Sequence, residues 1–172
     1  GYDLSDGITQ NEDGDTTNPD DPKQSFSITR RAEAFMAQQV KDGHPFYLQL
    51  SYYAVHQRPQ ALAATIRRYG GGGSAVFAAM TEDLDTCLGV LRQKISALGI
   101  ADNTYVIYMS DNGGRSDALK GGKALCDEGG IRVPLVVHGP GVSPGSYCNT
   151  PVISYDIYPT LLDLVAPTAA LP

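Results

Sequence analysis

Three groups of polar residues in this 172-residue chain have types and positions that could carry chemistry. Each lies at an end of a segment predicted to be a strand: His56 follows residues 46–55, Asp111 and Asn112 follow 104–110, and Lys123 leads into 132–140. In α/β proteins, ligands bind beyond the carboxyl ends of the strands. A pair of oxygens for a hard cation, an imidazole that titrates near neutrality and a lysine are the groups that act on an anionic ester.

Each group also has an ordinary structural explanation. A single histidine after a strand is more often structural than catalytic, and Asn-Gly and Gly-Gly pairs are typical of turns. A lysine in a glycine-rich loop is usually exposed and without a role. The run Gly121–Lys123 lacks the GxxxxGK[ST] pattern, so nucleotide binding is unsupported.

The elements that would position these residues alternate between helices and strands, which predicts an α/β sheet with crossover connections. We expect helices from Ser27 to about residue 42, over 60–69, from Ser74 as N-cap to Gly99, and over 156–165, and strands over 46–55, 104–110 and 132–140. The first strand is expected to be mostly buried. The run GGGGS at 70–74 is expected to be a flexible loop, and the acidic side chains Glu82, Asp83 and Asp85 are expected to face water.

Composition and charge exclude several classes of protein. Net charge is −6, but residues 1–22 alone carry −7, so the remainder is nearly neutral and has no basic face for nucleic acid. No apolar run approaches the roughly 18 residues of a membrane span, and we expect no signal peptide in these residues. Three cysteines, none in a CxxC pair, make a zinc site or a disulfide framework improbable. A chain that begins with glycine suggests processing or excision from a longer protein.

Taken together and in order, four segments closely resemble the type I sulfatases of the alkaline-phosphatase-like superfamily. The resemblance runs from about Thr29 to Val165 and rests on FYLQLSYYAVH, on EDLD followed by SDNGG, on GGKALCDEGGIRVP and on YDIYPTLLDL. It implies an alkaline-phosphatase-like sandwich with a mostly parallel or mixed sheet flanked by helices.

The resemblance also assigns roles to the four candidate residues. It implies that Asp111 and Asn112 are calcium ligands, that Lys123 contacts the sulfate and the leaving-group oxygen, and that His56 is the general acid. Calcium takes hard oxygen ligands, and a histidine can protonate a departing alkoxide near neutral pH. The implied substrate is a sulfated glycan or a sulfated small molecule such as an aryl ester.

The chain departs from the family pattern in several places. The Cys/Ser-x-Pro-x-Arg motif that supplies the formylglycine nucleophile is absent, as are the two aspartates that begin the calcium site. We therefore expect an acidic irregular segment over 1–25 and a partial catalytic domain over 26–172, without the nucleophile region or the small C-terminal subdomain. The isolated chain is expected to be inactive, with an exposed sheet edge that aggregates or binds a chain that completes the fold. Smaller departures are His-Gln-Arg-Pro at 56–59 and Ala124 in place of the usual glycine.

Three functions stay open on the sequence alone. The first is a fragment of a calcium-dependent sulfatase, for which the resemblance implies export to the periplasm or the cell exterior. The second is a phosphoesterase or phosphonate hydrolase of the same superfamily. The third is a non-catalytic, sulfatase-derived domain that binds sulfated glycans or a partner. Residues Tyr53, Arg58 and Arg115 are the local candidates for substrate specificity.

Overall fold

The computed structural model describes residues 3–5, 16–114 and 118–166, and these fold into an α/β arrangement of two compact units, Gly1–Val106 and Ile107–Pro172. The helices are α1 (Ser25–Asp42), α2 (Ala63–Arg68), α3 (Gly73–Ala97), α4 (Glu128–Ile131) and α5 (Ile157–Val165). The strands are β1 (Val106–Met109) and β2 (Leu135–His138), which pair in a two-stranded sheet, and three short 3-10 turns complete the elements. Within the described residues, no helix is both long and apolar enough to span a bilayer.

Helix α1 of the first unit begins where a buried aspartate satisfies its free amide groups. Asp21 Oδ1 accepts hydrogen bonds from the backbone N–H groups of Phe26 and Ser27, both at 3.0 Å. Such bonds replace the partners that the first turn of a helix lacks. Gly43, with φ 71°, ends the helix as predicted. The end of the acidic segment is therefore buried, contrary to the expected surface position: Asp21 is 8% exposed and Lys23 is fully buried.

Helices α1 and α3 form the core of this unit. The residues that α3 buries most completely are Ala79, Met80 and Cys87, at 0–1% exposure, and α1 contributes Ala32 and Met36 at 2–3%. The predicted cap of α3 is wrong, because Gly72 is the N-cap and Ser74 lies inside the first turn. Gly72 has φ 95°, a conformation that glycine reaches without strain, so the glycine run itself starts the helix. Gly99 follows the end of α3 with φ 69°, as predicted.

Asp83 does not face water as predicted. Its side chain is 5% exposed and accepts hydrogen bonds from the backbone N–H of Leu62 and from Thr65 Oγ1, both at 2.7 Å. These donors lie at the beginning of α2, so a carboxylate on α3 caps the shorter helix. The two hydrogen bonds compensate for the hydration that the carboxylate loses when it is buried.

The predicted strand over residues 46–55 is wrong. Exposure does alternate along 46–50, and the Tyr47 hydroxyl donates to Gln49 Oε1 at 3.2 Å, two residues along the chain. However, β1 and β2 are the only paired strands of the described residues, so this segment has no strand partner there. Tyr47 is also 55% exposed, so the segment is not mostly buried. Alternation supplies the faces of a strand, but a strand also needs a partner.

A buried polar cluster links this segment to both long helices. Thr29 Oγ1 lies 2.8 Å from the hydroxyl of Tyr52 and donates to the Ser25 carbonyl at 2.8 Å. Burial raises the pKa of Tyr52 to about 12, and burial also raises the pKa of the Cys87 thiol. Both groups therefore keep their protons through the neutral range.

The second unit contains the sheet, apart from Val106 at the start of β1, together with α4 and α5. Strands β1 and β2 confirm the predicted strands but are shorter, at four residues each. Helix α5 confirms the predicted final helix, and Pro159 lies in its first turn, where its missing N–H costs little. All of β2 is exposed, with Val136 at 58%, and no residue of α5 is buried.

Candidate functional site

Asp111 and Asn112 directly follow β1, and local hydrogen bonds fix their orientation. Asp111 Oδ1 accepts the backbone N–H of Asn112 at 2.9 Å, while Asn112 Nδ2 donates to the Gly113 carbonyl at 3.0 Å. Among the described residues, Asp111 Oδ2 and Asn112 Oδ1 then have no hydrogen-bond donor. A carboxylate oxygen and an amide oxygen on neighbouring residues therefore stay available to a ligand.

These two oxygens fit part of a calcium site. Calcium binds six to eight oxygens, and carboxylate and amide oxygens are typical of its ligands. The described residues hold no group of three or more His, Cys, Asp or Glu side chains able to bind a metal ion. Asp111 and Asn112 thus offer two oxygen ligands, and a full coordination shell requires more.

Three loops of the second unit form one hydrogen-bonded cluster, which we call the glycine loop cluster (residues 110–114, 120–125 and 127–131). The Gly113 N–H donates to the Gly130 carbonyl at 2.8 Å, and the Gly129 N–H donates to the Lys120 carbonyl at 2.7 Å. These bonds join the segment of Asp111 and Asn112, through α4, to the segment of Lys123. The structure therefore brings three of the four predicted site residues into one backbone network.

Glycines make this cluster possible, because the three backbones approach too closely for a side chain. A Cβ atom at Gly113 would overlap the Gly129 carbonyl, and one at Gly130 would overlap the carbonyls of Gly122 and Leu125. Gly129 is similarly close to Lys120, with its added Cβ 2.7 Å from that carbonyl oxygen. From the sequence, Gly113 was interpreted as a turn residue, and Gly129 and Gly130 were given no structural role. The signal that sequence reasoning missed is the recurrence of Gly-Gly at 113, 121 and 129, once every eight residues.

Lys123 is exposed at the tip of a tight turn. The turn closes with a hydrogen bond from the Leu125 N–H to the Gly122 carbonyl at 3.0 Å. Ala124 follows with φ 71°, in the left-handed region that favours glycine. The position where the resemblance implies a glycine is thus one where the backbone adopts a glycine-like conformation.

Two ion pairs hold the flanks of the cluster. Lys120 Nζ lies 3.0 Å from Asp127 Oδ1, and Arg132 Nε lies 2.6 Å from Glu128 Oε2. Both pairs are largely exposed, so we assign them a small contribution to stability. They connect α4 to the loops on either side of it.

His56 belongs to the first unit, where it is half-buried in a turn. Its backbone N–H donates to the Tyr53 carbonyl at 2.8 Å. Arg58, two residues on, has φ 54°, which is uncommon for a residue with a side chain. Of the other predicted specificity residues, Tyr53 is half-buried, and Arg115 lies outside the described residues.

Comparison with known proteins identifies the class of this fold and site. The sequence profile of the sulfatase family, described as "Sulfatase", matches residues 2–167. The chain is 34% identical over 139 residues to the steryl-sulfatase of Rattus norvegicus, covering 70% of this chain and 23% of that protein. It is 33% identical over 145 residues to human arylsulfatase A, covering 77% of this chain and 27% of that protein. The chain belongs to the sulfatase family, and it spans about a quarter of the length of these relatives.

Solved structures show the same fold. The crystal structure of Ps i-CgsB in complex with k-i-k-neocarrahexaose matches with a TM-score of 0.79 and 31% identity, covering 85% of this chain and 35% of that chain. The sulfatase PsFucS1 from Pseudoalteromonas sp. matches with a TM-score of 0.74 and 31% identity, covering 86% of this chain and 31% of that chain. These matches confirm the predicted α/β, alkaline-phosphatase-like fold.

Proposed function

We propose that these residues form one part of a sulfuric ester hydrolase that acts on a sulfated carbohydrate, with aryl sulfates as the second class of substrate. The observation that carries the proposal is the glycine loop cluster, which joins the segments of Asp111, Asn112 and Lys123 within a chain of the sulfatase family. The match to Ps i-CgsB, whose crystals contain a neocarrahexaose, supports a carbohydrate. The matches to arylsulfatases support the second class.

In the proposed reaction, the bond between sulfur and the leaving oxygen breaks, and its electron pair stays on that oxygen. His56, as imidazolium, donates a proton to the oxygen, so that an alcohol departs instead of an alkoxide. Lys123 places a positive charge beside the sulfate oxygens and the leaving oxygen. Asp111 and Asn112 would contribute ligands to a calcium ion, which supplies positive charge to the sulfate oxygens when bound.

The sulfur is attacked by a nucleophile that these residues do not contain. We place it in polypeptide outside the 172 residues, as a formylglycine formed from a Cys/Ser-x-Pro-x-Arg motif. The share of the relatives that the chain covers supports this placement. For the same reason we place the further calcium ligands in polypeptide outside the 172 residues. The proposed location is the periplasm or the cell exterior, and a match to a relative named as an extracellular sulfatase supports it.

The test is sulfate release by the full-length protein, measured by ion chromatography with 4-nitrophenyl sulfate and with sulfated oligosaccharides. Lys123→Ala should lower kcat about 100-fold or more, as expected for loss of a charge that stabilises the transition state. His56→Ala should lower kcat on sulfated sugars by about 100-fold or more. The matched controls are Lys41→Ala and His44→Ala, at exposed positions, which should retain wild-type rates. Wild-type rates in Lys123→Ala would contradict the proposal.

Calcium has a separate readout. Asp111→Asn should weaken the rise in melting temperature that calcium produces, because it removes one negative ligand, whereas the exposed Asp102→Asn should not. If calcium raised the melting temperature equally in the wild type, Asp111→Asn and Asp102→Asn, Asp111 would not be a calcium ligand.

A further inference from the structure

The first unit buries a lysine that the proposed reaction does not use. Lys23 is fully buried, in a backbone conformation with φ 54° that is uncommon for a residue with a side chain. Lysine is almost never fully buried, because its ammonium group is costly to remove from water without strong partners. A lysine in this position is therefore expected to have a hydrogen-bond partner that offsets the desolvation of its ammonium group.

One partner of the Lys23 ammonium group lies in the loop that carries His56. Lys23 Nζ donates a hydrogen bond of 2.7 Å to the carbonyl of Gln57, 34 residues along the chain. Gln57 directly follows His56, whose own N–H is bonded to Tyr53. The backbone on both sides of the histidine is thus fixed, on one side by a local turn and on the other by the buried lysine.

A second clamp holds the same two segments together. Gln60 Oε1 accepts the backbone N–H of Thr16 at 3.1 Å and that of Lys23 at 3.4 Å, and Gln60 Nε2 donates to the Thr16 carbonyl at 3.2 Å. Arg58 lies between the two clamps with φ 54°. A left-handed conformation in such a residue persists only where its surroundings hold it, and the hydrogen bonds on either side of Arg58 supply that constraint.

We propose that Lys23, assisted by Gln60, is a positioning residue that holds His56 in place for proton donation. The proposal rests on the proposed function and adds to it a residue from the polar segment before α1. Lys23 does not touch substrate in this account: it acts through the Gln57 carbonyl. A general acid must lie within hydrogen-bond reach of the leaving oxygen, so a loosened loop lowers the rate only where the leaving group needs a proton.

The kinetic test uses the full-length protein and compares two substrates whose leaving groups differ in their need for a proton. Lys23→Met keeps the length of the side chain and its apolar stem but removes the donor. It should lower kcat at least tenfold on a sulfated sugar, whose alkoxide leaves poorly, and less than threefold on 4-nitrophenyl sulfate, with KM nearly unchanged. The control Lys41→Met, at an exposed position of α1, should match the wild type on both substrates. Equal losses on both substrates, or no loss, would overturn the assignment.

A second readout does not depend on activity, so it separates a failure of this inference from a failure of the proposed function. The ring signals of His56 in NMR spectra should move or broaden in Lys23→Met, while those of His138 in the second unit stay in place. If Lys23→Met does not fold, Gln60→Ala tests the other clamp, with the exposed Gln93→Ala as control. Unchanged His56 signals in the folded variants would overturn the assignment even if the wild type hydrolyses sulfate esters. Moved signals in a wild-type protein without sulfatase activity would support the clamp and contradict the proposed function.

Discussion

The two units of this chain fix their candidate site residues by different means. In the first unit, helices α1 and α3 bury apolar side chains, and buried polar groups such as Lys23 and Asp83 tie the connecting segments to them. In the second unit, every buried residue of the described chain is a glycine: Gly113, Gly122, Gly129 and Gly130. Side-chain packing and buried hydrogen bonds therefore position His56, whereas contacts between backbones position Asp111, Asn112 and Lys123.

The difference shows where each unit tolerates substitution. A core of side chains can repack around a lost methyl group, at a cost that depends on how far it relaxes. The carbonyls of Gly122 and Lys120, which touch Gly130 and Gly129, cannot move away without breaking their own hydrogen bonds. The second unit also leaves apolar side chains of β2 and α5 exposed, including Val136 at 58% and Val165 at 79%. Its loops are thus held by backbone geometry with little support from a hydrophobic core.

The largest effect should come from adding one methyl group to the glycine loop cluster. Gly130→Ala places a Cβ onto the carbonyls of Gly122 and Leu125, and it should cost about 3 kcal/mol or more, by the general cost of overpacking. Gly114→Ala lies in the same cluster with nothing within 4 Å of the added atom, and it should change stability by less than about 0.5 kcal/mol. Denaturant unfolding followed by a probe in the second unit measures both. Similar values for the two variants would contradict the role of backbone contacts.

The next largest effect should come from the buried carboxylate of the first unit. Asp83→Ala leaves the Leu62 N–H and the Thr65 hydroxyl without their acceptor, and it should cost about 2–4 kcal/mol. Asp85→Ala, on the exposed face of the same helix, should cost less than about 0.5 kcal/mol. The comparison is made by urea unfolding at neutral pH. A small loss in Asp83→Ala would mean that side-chain hydrogen bonds do not hold α2 on α3.

The smallest effect concerns Tyr52 and depends on pH. Tyr52→Phe loses the hydrogen bond with Thr29, which should cost about 1 kcal/mol at neutral pH. Burial raises the pKa of Tyr52 from 10.0 to about 12, so between these values the unfolded chain releases a proton that the folded chain keeps. Stability from this group is therefore complete below pH 10 and falls as pH rises towards 12.

Unfolding measured across that range should show a steeper fall for the wild type than for Tyr52→Phe. The Cys87 thiol, whose pKa is also raised, contributes a fall that both proteins share. Tyr105→Phe, at an exposed tyrosine, is the control and should follow the wild type. Parallel curves for the wild type and Tyr52→Phe would show that the phenol is not buried in solution.

The sequence predicted α1, α2, α3 and α5 because their signals are local, whereas the four-residue α4 was not predicted. The apolar stripe and the glycines at the helix ends of α1 and α3 are readable from one segment at a time. The prediction of a strand over 46–55 was wrong because a strand is defined by hydrogen bonds to a neighbouring strand. Alternation along one segment does not show whether such a neighbour exists. The predicted exposure of Asp83 was wrong for a similar reason. Its hydrogen-bond partners Leu62 and Thr65 lie at the beginning of another helix, so its own segment does not show that it is buried.

The candidate site was predictable only as residue types. The order of Asp111, Asn112 and Lys123 along the chain, with the segments around them, indicated the family. The bonds that join their loops were not predicted, because Gly113–Gly130 and Gly129–Lys120 are contacts between backbones, and the repeated Gly-Gly pairs do not show which backbones meet. The clamp of Lys23 on Gln57 was hidden by composition, since a lysine beside an acidic, polar segment is ordinarily exposed.

The central proposal is that Asp111, Asn112, Lys123 and His56 serve a sulfatase reaction whose nucleophile lies elsewhere in the polypeptide. Mass spectrometry of the protein from its natural source, with peptide sequencing upstream of Gly1, tests this most directly. The account predicts a Cys/Ser-x-Pro-x-Arg peptide in which the first residue carries the aldehyde of formylglycine. A native polypeptide in which no residue can be converted to formylglycine would contradict the account and leave a sulfatase fold without the reaction.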